Sequence, residues 1–244
     1  MLNMIKAEHL KLKHTFGIFL PIIAPLMVMF LALFFTGGFD RAFQAGAWNW
    51  WYTLFLPGML SIVCYLCIKK DKKMKYHHIL LLPFALEKSW LGKVGYCILV
   101  LLFSNFMMLI GTYVGGVISG SNISLWPGSI AALLLTLSYM WEIPLFLFLS
   151  ARFGMFASIF TSMVMSILGT VTLPSSSYWW VYPPCIPIRL MCPVLGIFPN
   201  GIPMPIDNQL YNTNVIIPGI CLSLIWFLGI SLCTTFWFKK KREA

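Results

Sequence analysis

Residues 5–35 read IKAEHLKLKHTFGIFLPIIAPLMVMFLALFF, a short lysine-bearing segment that passes at Gly17 into an apolar run reaching Phe35. A bilayer core about 30 Å thick is crossed by about twenty apolar residues in a helix. Only a helix, or a closed barrel, satisfies its own backbone in hydrocarbon. The run is longer than the apolar region of a typical signal peptide, and no small-x-small cleavage site clearly follows it, so it is expected to be retained as a first span.

Composition extends that reading to the whole chain. Of 244 residues, 59% are hydrophobic and 10% charged, with a mean hydropathy of +0.85. Ordinary globular domains carry about a quarter charged residues. The predicted fold is an all-α integral membrane protein in a single domain, residues 1–244, with spans near 17–35, 48–68, 94–118, 128–149, 154–173 and 215–238. A long broken helix is the rival reading around SARFG (150–154), the whole connection between the fourth and fifth spans.

The net charge of +10 would suggest nucleic-acid binding in a soluble protein. Its distribution points elsewhere. With both termini cytoplasmic, fifteen of the 17 basic residues fall inside, leaving Arg41 and Arg189 outside. That asymmetry predicts a multi-pass protein of a cell membrane. Trp48, Trp50, Trp51, Trp126, Tyr178, Trp179 and Trp180 fall where interfacial anchors are expected.

Catalytic and metal signatures are missing. The chain has no G-x-x-x-x-G-K-[ST], H-E-x-x-H, G-x-S-x-G or paired CxxC, so neither an enzyme site nor a resident cofactor is expected. His9, His14, His77 and His78 lie among lysines without carboxylates or thiols arranged beside them, and read as solvated. Most of the seven cysteines read as small packing residues. Cys185 and Cys192 share the predicted outer segment, where an oxidising exterior leaves a disulfide open.

Four features stand above this background. In the amino-terminal segment, where an interfacial amphipathic helix is expected over 1–15, Leu2, Ile5, Leu12 and Phe16 share one side, with Lys6 and Lys13 on its flank and Lys11 opposite; a merely basic flank is the alternative. The connection KKDKKMKYHHILLLPFALEKSWLGK (69–93) places apolar residues around Pro83 in a basic loop, which suits either a partner surface or a bare interfacial helix. Glu142 is the one carboxylate within a predicted span, a position costing about 2.5–3.5 kcal/mol, and reads as a pathway or gating residue or as a structural partner. Residues 174–214, rich in proline and aromatics, are expected to fold back as short re-entrant pieces outside the last span.

The motifs KAEHLKLKHTF (6–16), YHHILLLPFALEKSWLGK (76–93) and RLMCPVLGIFPNGIP (189–203) resemble the permease subunits of lantibiotic-protection (immunity) ABC transporters, MutE/EpiE type, within the six-span exporter permeases. The resemblance covers essentially the whole chain. It implies that the amino-terminal helix is an elbow on the membrane. It also implies that residues 76–93 hold a cytoplasmic coupling helix docking on a separate ABC ATPase, through Tyr76, Leu82, Pro83, Phe84, Leu86, Lys88, Trp90, Leu91 and Lys93.

ATP and magnesium would then belong to the ATPase, and a second six-span permease would complete the pathway. The implied function is removal of cationic lanthionine antimicrobial peptides from a bacterial cell membrane, for self-immunity or resistance. Trp179, Trp180, Tyr182, Arg189 and Phe198 are the outer peptide-facing candidates. The alternatives are an exporter permease for another amphiphile, such as a bacitracin-like peptide or a lipid, and a nontransporting docking or sensor protein.

Overall fold

A computed structural model describes residues 2–13, 15–38, 42–74, 76, 86–120, 123–171, 174–205 and 207–240. Every regular element among them is helical: α1 (Leu2–Leu12), α2 (Leu20–Thr36), α3 (Ala42–Lys73), α4 (Leu86–Ser119), α5 (Leu125–Tyr139), α6 (Glu142–Arg152), α7 (Met155–Val171), α8 (Cys185–Leu195) and α9 (Ile216–Lys239). Helices α3, α4 and α9 are long and apolar enough to cross a membrane, and α5 with α6 makes a fourth if the bent pair is one span. At 17 residues each, α2 and α7 rise about 26 Å.

The boundaries depart from the apolar runs for identifiable reasons. Helix α3 outruns the expected 48–68 at both ends, and a π turn at Trp51–Phe55 lies within it. Pro57 follows that turn and has no N–H for the Thr53 carbonyl. Helix α4 starts at Leu86, so the last residues of the predicted coupling region form its first two turns. The expected 128–149 span breaks at Met140–Trp141 and bends by 46°. Pro144 cannot donate to the Met140 carbonyl, which instead accepts from the Ile143 amide at 3.2 Å in a tighter turn at that bend. At the SARFG hinge, Gly154 takes φ +99° and its amide caps Leu149 at 3.1 Å, ending α6 before α7 begins.

Helix α3 is the centre of the packing, flanked by α6 and α7, while α4 packs on α2, α5 and α1. Trp48, Trp51, Tyr52, Leu60, Leu101, Leu135 and Phe146 are sealed in the core. Large apolar side chains also face outward: Phe30, Phe34, Phe106, Phe156, Phe160 and Leu228 are all exposed. Such a surface suits a lipid solvent, in which exposed phenylalanine carries no hydration cost.

Polar side chains join the helices where hydrocarbon would otherwise leave them unpaired. Trp51 Nε1 donates to Asn105 Oδ1 at 2.9 Å, and Asn105 Nδ2 donates to Thr136 Oγ1 at 3.0 Å, linking α3, α4 and α5. At one end of the bundle Gln44 donates to the carbonyls of Thr112 and Ile123 and accepts from the Ile123 amide. The lysines gather at the other end, where Lys72 Nζ reaches the Ser150 carbonyl at 3.4 Å and Lys239 pairs with Glu87 at 3.0 Å.

Candidate functional site: a buried charge cluster and its aromatic clamp

The lysine-bearing end holds a constellation that no local sequence window announces. Glu8 of α1, Asp71 of α3 and Lys93 of α4 are all buried, and Lys11 closes the group from the rim. Lys93 Nζ lies 2.9 Å from Glu8 Oε1 and also pairs with Asp71 Oδ2. Lys11 Nζ lies 2.7 Å from Glu8 and 3.1 Å from Asp71. Among the described residues two carboxylates and two ammonium groups thus meet in one pocket. Close pairing offsets the desolvation of each charge, whereas any one left alone would be costly.

Helix α1 is thereby packed onto the bundle. It seats on α4 at Gly92, where an added Cβ would stand 2.7 Å from Met4 Cβ, and the His9 ring tilts against Tyr96 at 6.1 Å. The expected apolar stripe divides. Leu12 is buried and Ile5 packs on the core, while Leu2 and Phe16 remain exposed. The face buried against the bundle also carries Glu8, whose pairing with Lys93 spans 85 residues of chain.

Next to this cluster the start of α4 is clamped to the end of α9. The Trp90 ring stacks on Phe238 at 4.8 Å and meets Trp237 edge-on at 6.1 Å, and its Nε1 donates to Thr234 Oγ1 at 3.2 Å. Tyr76 packs edge-on to Phe238 at 5.8 Å. Its backbone takes φ +60°, unusual for a bulky residue, and its amide caps the Asp71 carbonyl at 2.8 Å. Burial, with Asp71 beside it, pushes the Tyr76 hydroxyl up to about 12.

This geometry divides the coupling candidates into buried and accessible residues. Leu86, Trp90 and Lys93 are buried inside the chain, as is the Tyr76 side chain, so in this conformation they hold helices together instead of presenting a docking surface. Lys88 is exposed and Leu91 half-buried, and both are open to a partner. Leu82, Pro83 and Phe84 lie outside the described residues.

The opposite end divides its candidates in the same way. Helix α8 is buried along nearly its whole length among α5, α7 and α9. Arg189 within it is buried and donates to the Leu210 carbonyl at 2.8 Å, so in this conformation it staples α8 to the segment that follows it. Trp179 is buried too. Trp180 is exposed and Tyr182 half-buried, its hydroxyl donating to the Met165 carbonyl at 3.3 Å. Phe198 lines a surface cavity of about 540 Å³ with Thr170, Ser175 and Ile202.

The Cys185 thiol donates to the Gly169 carbonyl and the Cys192 thiol to that of Ile188. Seven residues apart on α8 they stand about 10 Å from each other along the axis, beyond disulfide reach. Glu142 is buried at the first turn of α6, and its Oε2 has no hydrogen-bond partner among the described residues. Among those residues no group of three or more His, Cys, Asp or Glu side chains could hold a metal ion. Comparison with protein-family models, with curated proteins and with solved structures returns no match for this chain.

Proposed function

We propose that the chain is a permease subunit of an ABC exporter in a bacterial cell membrane, that it expels lantibiotic-type antimicrobial peptides, and that a separate ATPase powers it. In this reading both termini are cytoplasmic and the chain crosses six times. The crossings are α2, α3, α4, the bent pair α5 with α6, α7 and α9, and α8 is a re-entrant piece. The 17-residue helices α2 and α7 cross with local thinning of the bilayer.

The observation that carries the proposal is the anchoring of the helices on either side of residues 74–85. On one flank Asp71 ties α3 to α1 and α4, and on the other Trp90 ties α4 to α9. A partner pulling there would move four helices together. Discrete, well-packed elements transmit displacement in this way because packed interfaces do not deform continuously. The outer peptide site in this reading is reduced to Trp180, Tyr182 and Phe198, which are not fully buried.

The test uses Lys88, exposed on the first turn of α4, together with the apolar Phe84 that precedes the helix in sequence. Phe84→Ala with Lys88→Ala is expected to leave the chain at parental levels in the membrane. It should abolish co-purification of a polypeptide bearing a G-x-x-x-x-G-K-[ST] loop and remove resistance to a lanthionine peptide. Unchanged resistance together with an undisturbed partner would sink the proposal.

A further inference from the structure

Between α1, α2 and α4 lies a cleft of about 660 Å³, within the range of about 300–1,000 Å³ typical of small-molecule sites. Its wall is apolar, formed by Ile18 and Ile22 from the α2 side and by Leu99 and Phe103 from α4. Lys6 and His9 of α1 line it as well, one turn apart on the same face of their helix, and both side chains are exposed. No carboxylate of the described residues balances Lys6. Glu8, the acidic residue of α1, points to the far side and is consumed by Lys93 and Lys11.

With Glu8 engaged in the ion cluster, a cationic lip is left over an apolar slot, at the level where α1 crosses the bundle end. An acyl chain fits the slot, and a phosphate at its head matches the lip. A zwitterionic headgroup would bring its own ammonium against Lys6 and gain less.

We infer that this cleft binds one anionic phospholipid, its acyl chain against Leu99 and Phe103 and its phosphate held by Lys6 and His9. The inference rests on the membrane reading of the chain but on neither the peptide substrate nor the ATPase. The bound lipid fills the gap that α1 leaves beside α2, so it joins α1 to the bundle on the side opposite the ion cluster. Its headgroup charge, and not its acyl length, selects it.

The test measures lipids retained by the purified full-length chain in mild detergent, by native mass spectrometry, after titration with phosphatidylglycerol or phosphatidylcholine of identical acyl chains. One phosphatidylglycerol is expected to remain bound, with an affinity exceeding that for phosphatidylcholine by about ten-fold or more. Lys6→Gln with His9→Gln should erase the preference while leaving thermal stability in detergent within a few degrees of the parent.

Equal retention of the two lipids by the parent chain overturns the inference, whatever the variant does. So does a preference that survives in the double variant. Displacement of the lipid by millimolar inorganic phosphate assigns the lip to a free anion and overturns it as well. A chain recovered in the soluble fraction on cell lysis, with no lipid bound, would instead remove the membrane reading itself.

Discussion

Lys93 Nζ of α4 lies 2.9 Å from Glu8 Oε1 of α1, with both side chains sealed from solvent. The pair fixes an otherwise short helix of eleven residues to the bundle. Isolated helices of that length are marginal in water. Removing one partner strands the other charge in a dry pocket, at a cost of about 3–5 kcal/mol. Lys93→Met is therefore expected to lower the Tm of the purified protein sharply. Adding Asp71→Asn restores charge balance by leaving Glu8 with Lys11, and should recover most of the loss. A single variant as stable as the parent would mean that the pocket is wet.

The seat of α1 depends on the absence of a side chain at Gly92. A Cβ there would meet Met4 Cβ at 2.7 Å, and a Cβ cannot swing aside as a flexible tip can. Gly92→Leu should lift α1 away from α4 while α4 itself gains helix propensity. The readout is Leu12→Cys on a background with the seven native cysteines replaced by alanine. Leu12 is 1% exposed, so the new thiol should resist a water-soluble maleimide in the parent and react readily once Gly92 is changed. Equal protection in both would show that Leu12, and not Gly92, determines the contact.

Trp90 and Lys88 separate folding from docking. Truncating a buried tryptophan costs about 3–5 kcal/mol, and here the hydrogen bond to Thr234 and the stack on Phe238 are lost as well. Trp90→Ala is expected to drop expression and Tm together, and Trp90→Phe to restore part of both. Lys88→Ala should leave Tm unchanged, because Lys88 is exposed. Monodispersity and Tm of the three variants in detergent decide the matter. Parental stability of Trp90→Ala would return Trp90 to the docking surface.

These residues also show where the sequence was readable. The apolar runs declare helices and their rough positions because hydropathy is a local property, and α3, α4 and α9 appear where those runs fall. The exact bends were not readable, although each has a proline close by, since Pro57 and Pro144 weaken a ladder without saying where it opens. The burial of Lys93 and Trp90 is hidden for a different reason. A lysine and a tryptophan in a basic loop look like a solvated, partner-seeking surface. What buries them is Glu8, 85 residues earlier, and Phe238 near the far end of the chain. Pairing at that distance leaves no trace in a single sequence. Arg189 follows the same rule, because its acceptor is a backbone carbonyl, which every residue carries.

Glu142 poses the sharpest contrast between stability and use. It stands beside the 46° bend, buried at the start of α6, with Oε2 unpartnered among the described residues. The N-terminal end of α6 favours a negative charge there, by about 0.3–1 kcal/mol at exposed sites and up to about 2 kcal/mol when partly buried. That is less than the cost of burying an unsatisfied polar group. Replacing such a group by an apolar one of similar size is neutral or stabilising when no partner is left behind. Glu142→Leu should therefore hold or raise Tm in detergent. If the carboxylate serves the peptide pathway, the same variant should lose protection against a lanthionine peptide, and Glu142→Gln should lose it with no change in Tm. A clear fall in Tm for Glu142→Leu would instead reveal a hidden partner and a structural role. Separation of the two readouts is the mark of a group kept for work at some expense to the fold.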